Sequence, residues 1–184
     1  SRVRVPSAPQ KRFLNQLRKR FCYIIAFGLY YLITFVSKKT VTSMNKTILI
    51  TGASSGIGEG CAKKFASQGA RVILNARSTY KLTALALELQ EKYNAQCYVM
   101  PFDVCNRESA VAALNALPEE WKTIDVLINN AGLAIGVDKE YEGNLEEWDT
   151  VIDTNIKGLL SMTRLVVPGM IERGRGHIIN IGSI

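Results

Sequence analysis

From Met44 onward the apolar positions follow two rhythms. Short, nearly continuous runs have the length and content of buried strands: "TILIT" (47–51), "RVILNA" (71–76), "CYVMPF" (97–102), "IDVLIN" (124–129) and "HIINIGS" (177–183). Between them apolar residues recur at helical intervals. Ile57, Cys61 and Phe65 mark one face of a helix ending near Gly69, and Leu82, Leu85 and Leu89 stripe a second. Val111, Leu114 and Leu117 belong to a third, capped by Asn106. Asn144 opens a long fourth helix, with Glu147 at the capping-box position and Trp148, Ile152, Leu159 and Thr163 along one face. Strand–helix alternation with continuous apolar strands predicts an α/β fold, a doubly wound parallel sheet of Rossmann type. Strands one to five of it are present, so the sheet is expected to be incomplete.

The charge divides the chain at the same point. Residues 1–43 hold nine of the 23 Lys and Arg and no Asp or Glu, so the formal charge of +7 belongs to this arm and the remainder is slightly acidic. A nucleic-acid partner is therefore not expected for the domain at 44–184. Within the arm, "FCYIIAFGLYYLITFVS" (21–37) is uncharged and flanked by basic residues. As a helix it would be about 26 Å long, slightly short of a hydrocarbon core. It is open to three readings: a membrane anchor, a signal peptide lacking a small-x-small cleavage site, or translated sequence upstream of a native start at Met44. Cys22, Cys61, Cys97 and Cys105 form no C-x-x-C pair and His177 is the only histidine, so no metal site is expected. Reduced thiols suit a cytoplasmic protein, or a membrane-anchored one if the anchor is real.

The candidate chemistry starts at "TGASSGIGEG" (51–60), which is neither G-x-G-x-x-G nor a nucleotide P-loop. It lies between a strand and a helix, where a phosphate-binding loop belongs. Gly52 lets the chain turn off the strand, Gly56 allows backbone to approach a pyrophosphate, and Gly58 allows close helix packing. The helix N–H groups and the hydroxyls of Ser54 and Ser55 would face the anion. The second strand ends "LNAR", without the acid that commonly holds a ribose 2′-hydroxyl. Arg77 stands there instead, and an arginine fork suits a 2′-phosphate, which favours NADP over NAD. Asn155 lies between Ile152 and Leu159 on the helix face, where a buried amide needs a partner. Each residue taken singly has a plainer reading: a ligand-free glycine turn, a solvated arginine, a core amide.

In chain order, T-G-x-x-x-G-I-G is followed by Asp103-Val104, Asn129-Asn130-Ala131-Gly132, Asn155 and Ser183. This series resembles the short-chain dehydrogenase/reductase superfamily from about Lys46 to Ile184. The intervening text is similar to its NADP-dependent 3-hydroxy acid dehydrogenases, which act on serine, allo-threonine and related compounds. The resemblance implies that Gly52, Ser54, Ser55, Gly56, Ile57 and Gly58 wrap the pyrophosphate, and that Arg77 and Ser78 meet the 2′-phosphate. It implies that Asp103 holds the adenine amino group with Val104 beside it, and that Asn130, Ala131 and Gly132 line the adenosine ribose. Asn155 would order a helix kink and a relay water, and Ser183 would hydrogen-bond a small-molecule substrate.

The same resemblance calls for a Tyr about thirteen residues after the Ser and a Lys four further on. Neither occurs at that spacing, and Tyr80-Lys81 and Lys139…Tyr141 do not replace them. The expectation is a fragment or truncated product that binds cofactor without turnover, and a homo-oligomer in full-length form. Two other functions remain open: a membrane-anchored reductase of carbonyl compounds, steroids or retinoids, and a non-catalytic NADP sensor.

Overall fold

The computed structural model describes residues 23–25, 45–136, 139 and 141–182. Six parallel strands form one sheet in the order β1-β6-β5-β2-β3-β4. They are β1 (Tyr23–Ile25), β2 (Thr47–Ile50), β3 (Arg71–Ala76), β4 (Cys97–Pro101), β5 (Val126–Asn129) and β6 (His177–Gly182). The helices are α1 (Gly56–Ala66), α2 (Thr79–Tyr93), α3 (Arg107–Asn115), the short α4 (Glu119–Lys122), α5 (Leu145–Ile152) and α6 (Leu159–Glu172). A π-helical segment, Asp153–Gly158, joins α5 to α6.

The continuous apolar strands have the reason proposed for them: both faces of the sheet are covered. Ile48, Ile50, Val72, Leu74, Val126 and Ile128 point to one core, which Ala62 and Ala66 of α1 and Leu82, Leu85 and Leu89 of α2 close. Leu49, Ile73 and Leu127 point to the other, under Met162, Val166 and Met170 of α6. The chain moves from β2 outward through β3 to β4, then returns past both to place β5 against the opposite side of β2. Next to β2 the winding therefore reverses. The carboxyl ends of β2 and β5 open a crevice there, the usual ligand position of such sheets.

Several local expectations are corrected. The buried residues of α1 are Gly58, Ala62 and Ala66, small side chains that let the helix close on the sheet, while Ile57 is 57% exposed. The third helix buries Ala110, and Val111 faces outward. Asn106 does cap it, its Oδ1 accepting from the Ser109 N–H at 2.9 Å. Asn144 caps α5 through the Glu146 N–H. The stripe of the long helix is displaced: Trp148 and Ile152 are exposed, α5 buries nothing, and the inward line runs Thr154, Gly158, Met162, Val166, Met170. A strict four-residue spacing drifts about 40° per step around a regular helix. The π segment widens the turn at the start of that line and takes up part of the drift.

Tyr23–Ile25 pairs in parallel with Asn180–Gly182, so three residues of the arm join the sheet beyond β6. The rest of the candidate anchor at 21–37 lies outside the described residues. Among the described residues, no helix is long and apolar enough to cross a membrane.

Candidate functional site

The glycine loop sits at the crevice, and the chain after β5 holds it there. Thr51, 2% exposed, is the pin. Its Oγ1 accepts the N–H groups of both Asn130 and Ala131 at 3.0 Å and donates to the Ile128 carbonyl at 3.3 Å. In return the Asn130 carboxamide donates to the carbonyls of Thr51 at 3.0 Å and Gly52 at 3.1 Å. Gly52 has φ +64°, and a Cβ there would meet Ala131 Cα at 2.8 Å. A Cβ on Gly58 would collide with the Gly52 carbonyl and the Asn130 amide. A Cβ on Gly56 would meet nothing within 4 Å. The loop is thus closed where it touches the protein and open where a ligand would lie.

The open side carries donors. Ser55 is the N-cap residue of α1, yet its side chain makes no cap hydrogen bond. The first-turn N–H groups of a helix have no intrahelical acceptors. With Ser54 half-buried and Ile57 exposed beside them, this end of α1 presents a group of donors. Such a set suits a phosphate. The Asn130 amide is committed to the glycine loop, while Gly132 in the same segment is exposed.

At the ends of the neighbouring strands the structure brings Arg77 and Asp103 together, Nη1 to Oδ2 at 3.9 Å, with the arginine 75% exposed at its side chain. Ser78 caps α2, its hydroxyl accepting from the Lys81 N–H at 3.5 Å. The Asp103 carboxylate also accepts the Cys105 N–H at 2.9 Å, a local turn that fixes its direction. Val104, expected beside the cofactor, packs into the core at this edge of the sheet. It is 5% exposed, and a Cβ added to Gly158 would meet its Cγ2 at 2.8 Å. Beside it the Cys105 thiol and the Thr154 hydroxyl share a hydrogen bond at 3.2 Å.

Asn155, on the π segment, is half-buried and paired on both atoms. Its Oδ1 accepts the Leu133 N–H and its Nδ2 donates to the Leu133 carbonyl, each at 2.8 Å. A Cβ on Gly132 would meet the same Oδ1 at 3.2 Å. The amide therefore turns toward the segment after β5, and the expected apolar helix face is not its environment. A second clamp was not read from the sequence: Asn129 Nδ2 donates to Thr163 Oγ1 at 3.0 Å and to Asn180 Oδ1 at 2.9 Å, tying β5, α6 and β6. Ser183, the expected substrate contact, lies outside the described residues.

Thr51, Asn129 and Leu133 escaped sequence reading because their roles are made by partners about 22 to 80 positions away. Only the proximity of a Thr to the first glycine hinted at the pin. Cys61, Cys97 and Cys105 are free thiols, and burial pushes Cys97 up to about 11. Among the described residues no cluster of His, Cys, Asp or Glu is fit to hold a metal ion.

The arrangement has known relatives. The family model described as short chain dehydrogenase matches residues 46–184. Over 136 residues the chain is 46% identical to the NADP-dependent 3-hydroxy acid dehydrogenase YdfG of Escherichia coli K12, covering 74% of this chain and 53% of that protein. It is 44% identical over 140 residues to the NADP-dependent 3-hydroxy acid dehydrogenase of Schizosaccharomyces pombe, covering 76% and 54%. Among solved structures, serine dehydrogenase from Escherichia coli superposes with a TM-score of 0.69 at 46% identity, over 74% of this chain and 62% of that one. A metagenomic short-chain oxidoreductase in complex with NADP gives 0.73 at 34% identity, over 78% and 65%. The chain spans about half the length of the curated relatives it matches. With the family model covering most of its length and the glycine loop, Asn130 clamp and Asn155 in place, the chain belongs to the short-chain dehydrogenase family.

Proposed function

We propose that this chain supplies the NADP-binding part of an oxidoreductase acting on small 3-hydroxy acids or their carbonyl forms. One observation carries the cofactor choice: Arg77 and Asp103 stand 3.9 Å apart at the carboxyl edge, with the arginine largely exposed. An exposed ion pair of this kind is weakly held, so Arg77 is available to a 2′-phosphate while Asp103 takes a hydrogen bond from adenine. The residues fit the group. Gly56 leaves open space beside the α1 N-terminus, and Ser55 is not spent on capping. The cofactor, when bound, supplies or accepts hydride. This chain's residues bind and orient it: the loop from Gly52 to Gly58 takes the pyrophosphate, the backbone of Asn130 to Gly132 borders the ribose, and Asn155 fixes the Leu133 segment beside it.

The substrate class rests on the 46% identity to a protein named for 3-hydroxy acids, with Ser183 as the proposed contact to the substrate oxygen. Self-association is proposed through the outward face of α5 and the start of α6, where Leu145, Trp148, Ile152, Ile156 and Leu160 are all exposed. The free thiols favour a reducing, cytoplasmic setting.

The test is calorimetric titration with adenosine 2′,5′-bisphosphate and with 5′-AMP. The wild-type chain should prefer the bisphosphate by about tenfold or more, since charge-assisted phosphate contacts contribute about 1.5–3 kcal/mol. Arg77→Gln should bring the two affinities together. Equal affinities in the wild-type chain would remove the NADP assignment.

A further inference from the structure

We propose that Asn75 is a positioning residue for the adenosine side of the cofactor site, holding the glycine loop and the Asp103 turn in one arrangement. The proposal rests on the NADP reading above and adds to it a residue with no expected ligand contact. Asn75 lies near the end of β3 and is 0% exposed. Its backbone carbonyl accepts the N–H of Ala53, inside the glycine loop, at 2.9 Å. Its side-chain Nδ2 donates to the carbonyls of Met100 at 3.0 Å and Phe102 at 3.1 Å. Phe102 immediately precedes Asp103, and Arg77 follows Asn75 by two residues. One residue therefore links the glycine loop, the Arg77 end of β3 and the turn that carries Asp103.

The ladder explains why a side chain is needed there. Asn75 pairs with Met100, and Ala76 with Pro101. Pro101 brings no N–H, so the backbone offers one donor fewer where β4 ends. The Asn75 amide bridges the carbonyls on either side of that proline and fixes the direction in which the chain leaves toward Asp103. The orientation of the amide is determined: reversed, its oxygen would face two carbonyl oxygens. Its Oδ1 is left without a partner in the core. A leucine would fill the same space without that unpaired oxygen. Filling the core is thus a poor account of the asparagine, and holding the exit of β4 is a sufficient one.

The test measures binding of adenosine 2′,5′-bisphosphate to the 184-residue chain and to Asn75→Leu, Asn75→Ser and Leu89→Ala, at a temperature where circular dichroism shows each variant folded. Leu89→Ala removes core volume in α2 and controls for lost stability alone. Asn75→Leu should bind about tenfold more weakly, and Asn75→Ser, which keeps one donor, should fall between it and wild type. Leu89→Ala should stay within about twofold of wild type. Folded Asn75→Leu binding as tightly as wild type overturns the proposal. If that variant does not fold, wild-type affinity in Asn75→Ser overturns it equally. If the wild-type chain itself fails to bind, the NADP reading falls, and positioning is then read from hydrogen exchange of the Cys105 amide, which Asp103 holds. Relative to the core amide of Ile73, that exchange should be about tenfold faster in Asn75→Leu and unchanged in Leu89→Ala. Equal rates overturn the proposal.

Discussion

Replacing Thr51 with Val keeps the shape of the side chain and removes one oxygen. That oxygen accepts two backbone N–H groups, from Asn130 and Ala131, both at 3.0 Å, in a side chain 2% exposed. The Ile128 carbonyl loses a hydroxyl donor but keeps the Thr51 N–H at 3.0 Å, so it adds little to the cost. A buried donor left unpaired costs about 1–3 kcal/mol. Asn130 and Ala131 are half-buried, which places each near the low end, and the pair together at about 2–3 kcal/mol. For a domain of this size about 3 °C of melting temperature accompanies each kcal/mol, so Thr51→Val should melt about 6–9 °C lower. Thr51→Ser keeps the oxygen and should lose less than about 1 kcal/mol. Urea unfolding of the three proteins gives the free energies, and titration with adenosine 2′,5′-bisphosphate of the folded variants gives the site's response. If Thr51→Val lies within about 0.5 kcal/mol of wild type, the two N–H groups have another acceptor and the pin is not what fixes the loop.

Three further outcomes follow from the same geometry. Gly58→Ala places a methyl against the Gly52 carbonyl and the Asn130 amide; overpacking of this kind costs about 1–3 kcal/mol, and bisphosphate affinity measured by calorimetry should fall with it, whereas Gly60→Ala, with nothing within 4 Å of its Cβ, should leave affinity unchanged. Asn155→Leu removes both bonds to Leu133 and should speed hydrogen exchange of the Leu133 amide by about tenfold or more. Burial raises the Cys97 thiol from 9.0 to about 11, so the unfolded thiol ionises first as pH rises. Stability measured by urea unfolding should therefore fall between about pH 9 and pH 11, and Cys97→Ala should flatten part of that decline.

Much of the local structure around the candidate site was legible because its residues act locally. The glycine loop between strand and helix, Arg77 in place of an acid, and the Asn106 and Asn144 caps depend on neighbours a few positions away. What misled was burial. Ile57 and Ile152 were assigned inward because they are apolar and at helical spacing, yet both are exposed. In α1 the buried positions are Gly58, Ala62 and Ala66, and at Gly58 a Cβ would already collide with the Gly52 carbonyl and the Asn130 amide, so small residues carry the inner face and Ile57 turns out.

The sequence by itself determined the α/β alternation, the five strands between residues 47 and 183 and the loop that offers phosphate donors, since each is written in contiguous residues. Tertiary structure alone decided what holds those parts in register. Asn130 belongs to the glycine loop, Asn75 to the exit of β4, Asn155 to the Leu133 segment, and Tyr23–Ile25 to the edge of β6. These amides and strand edges are satisfied by backbone groups far away in the chain. A carbonyl accepts from any correctly placed donor, so nothing in its own residue type records which donor it will meet.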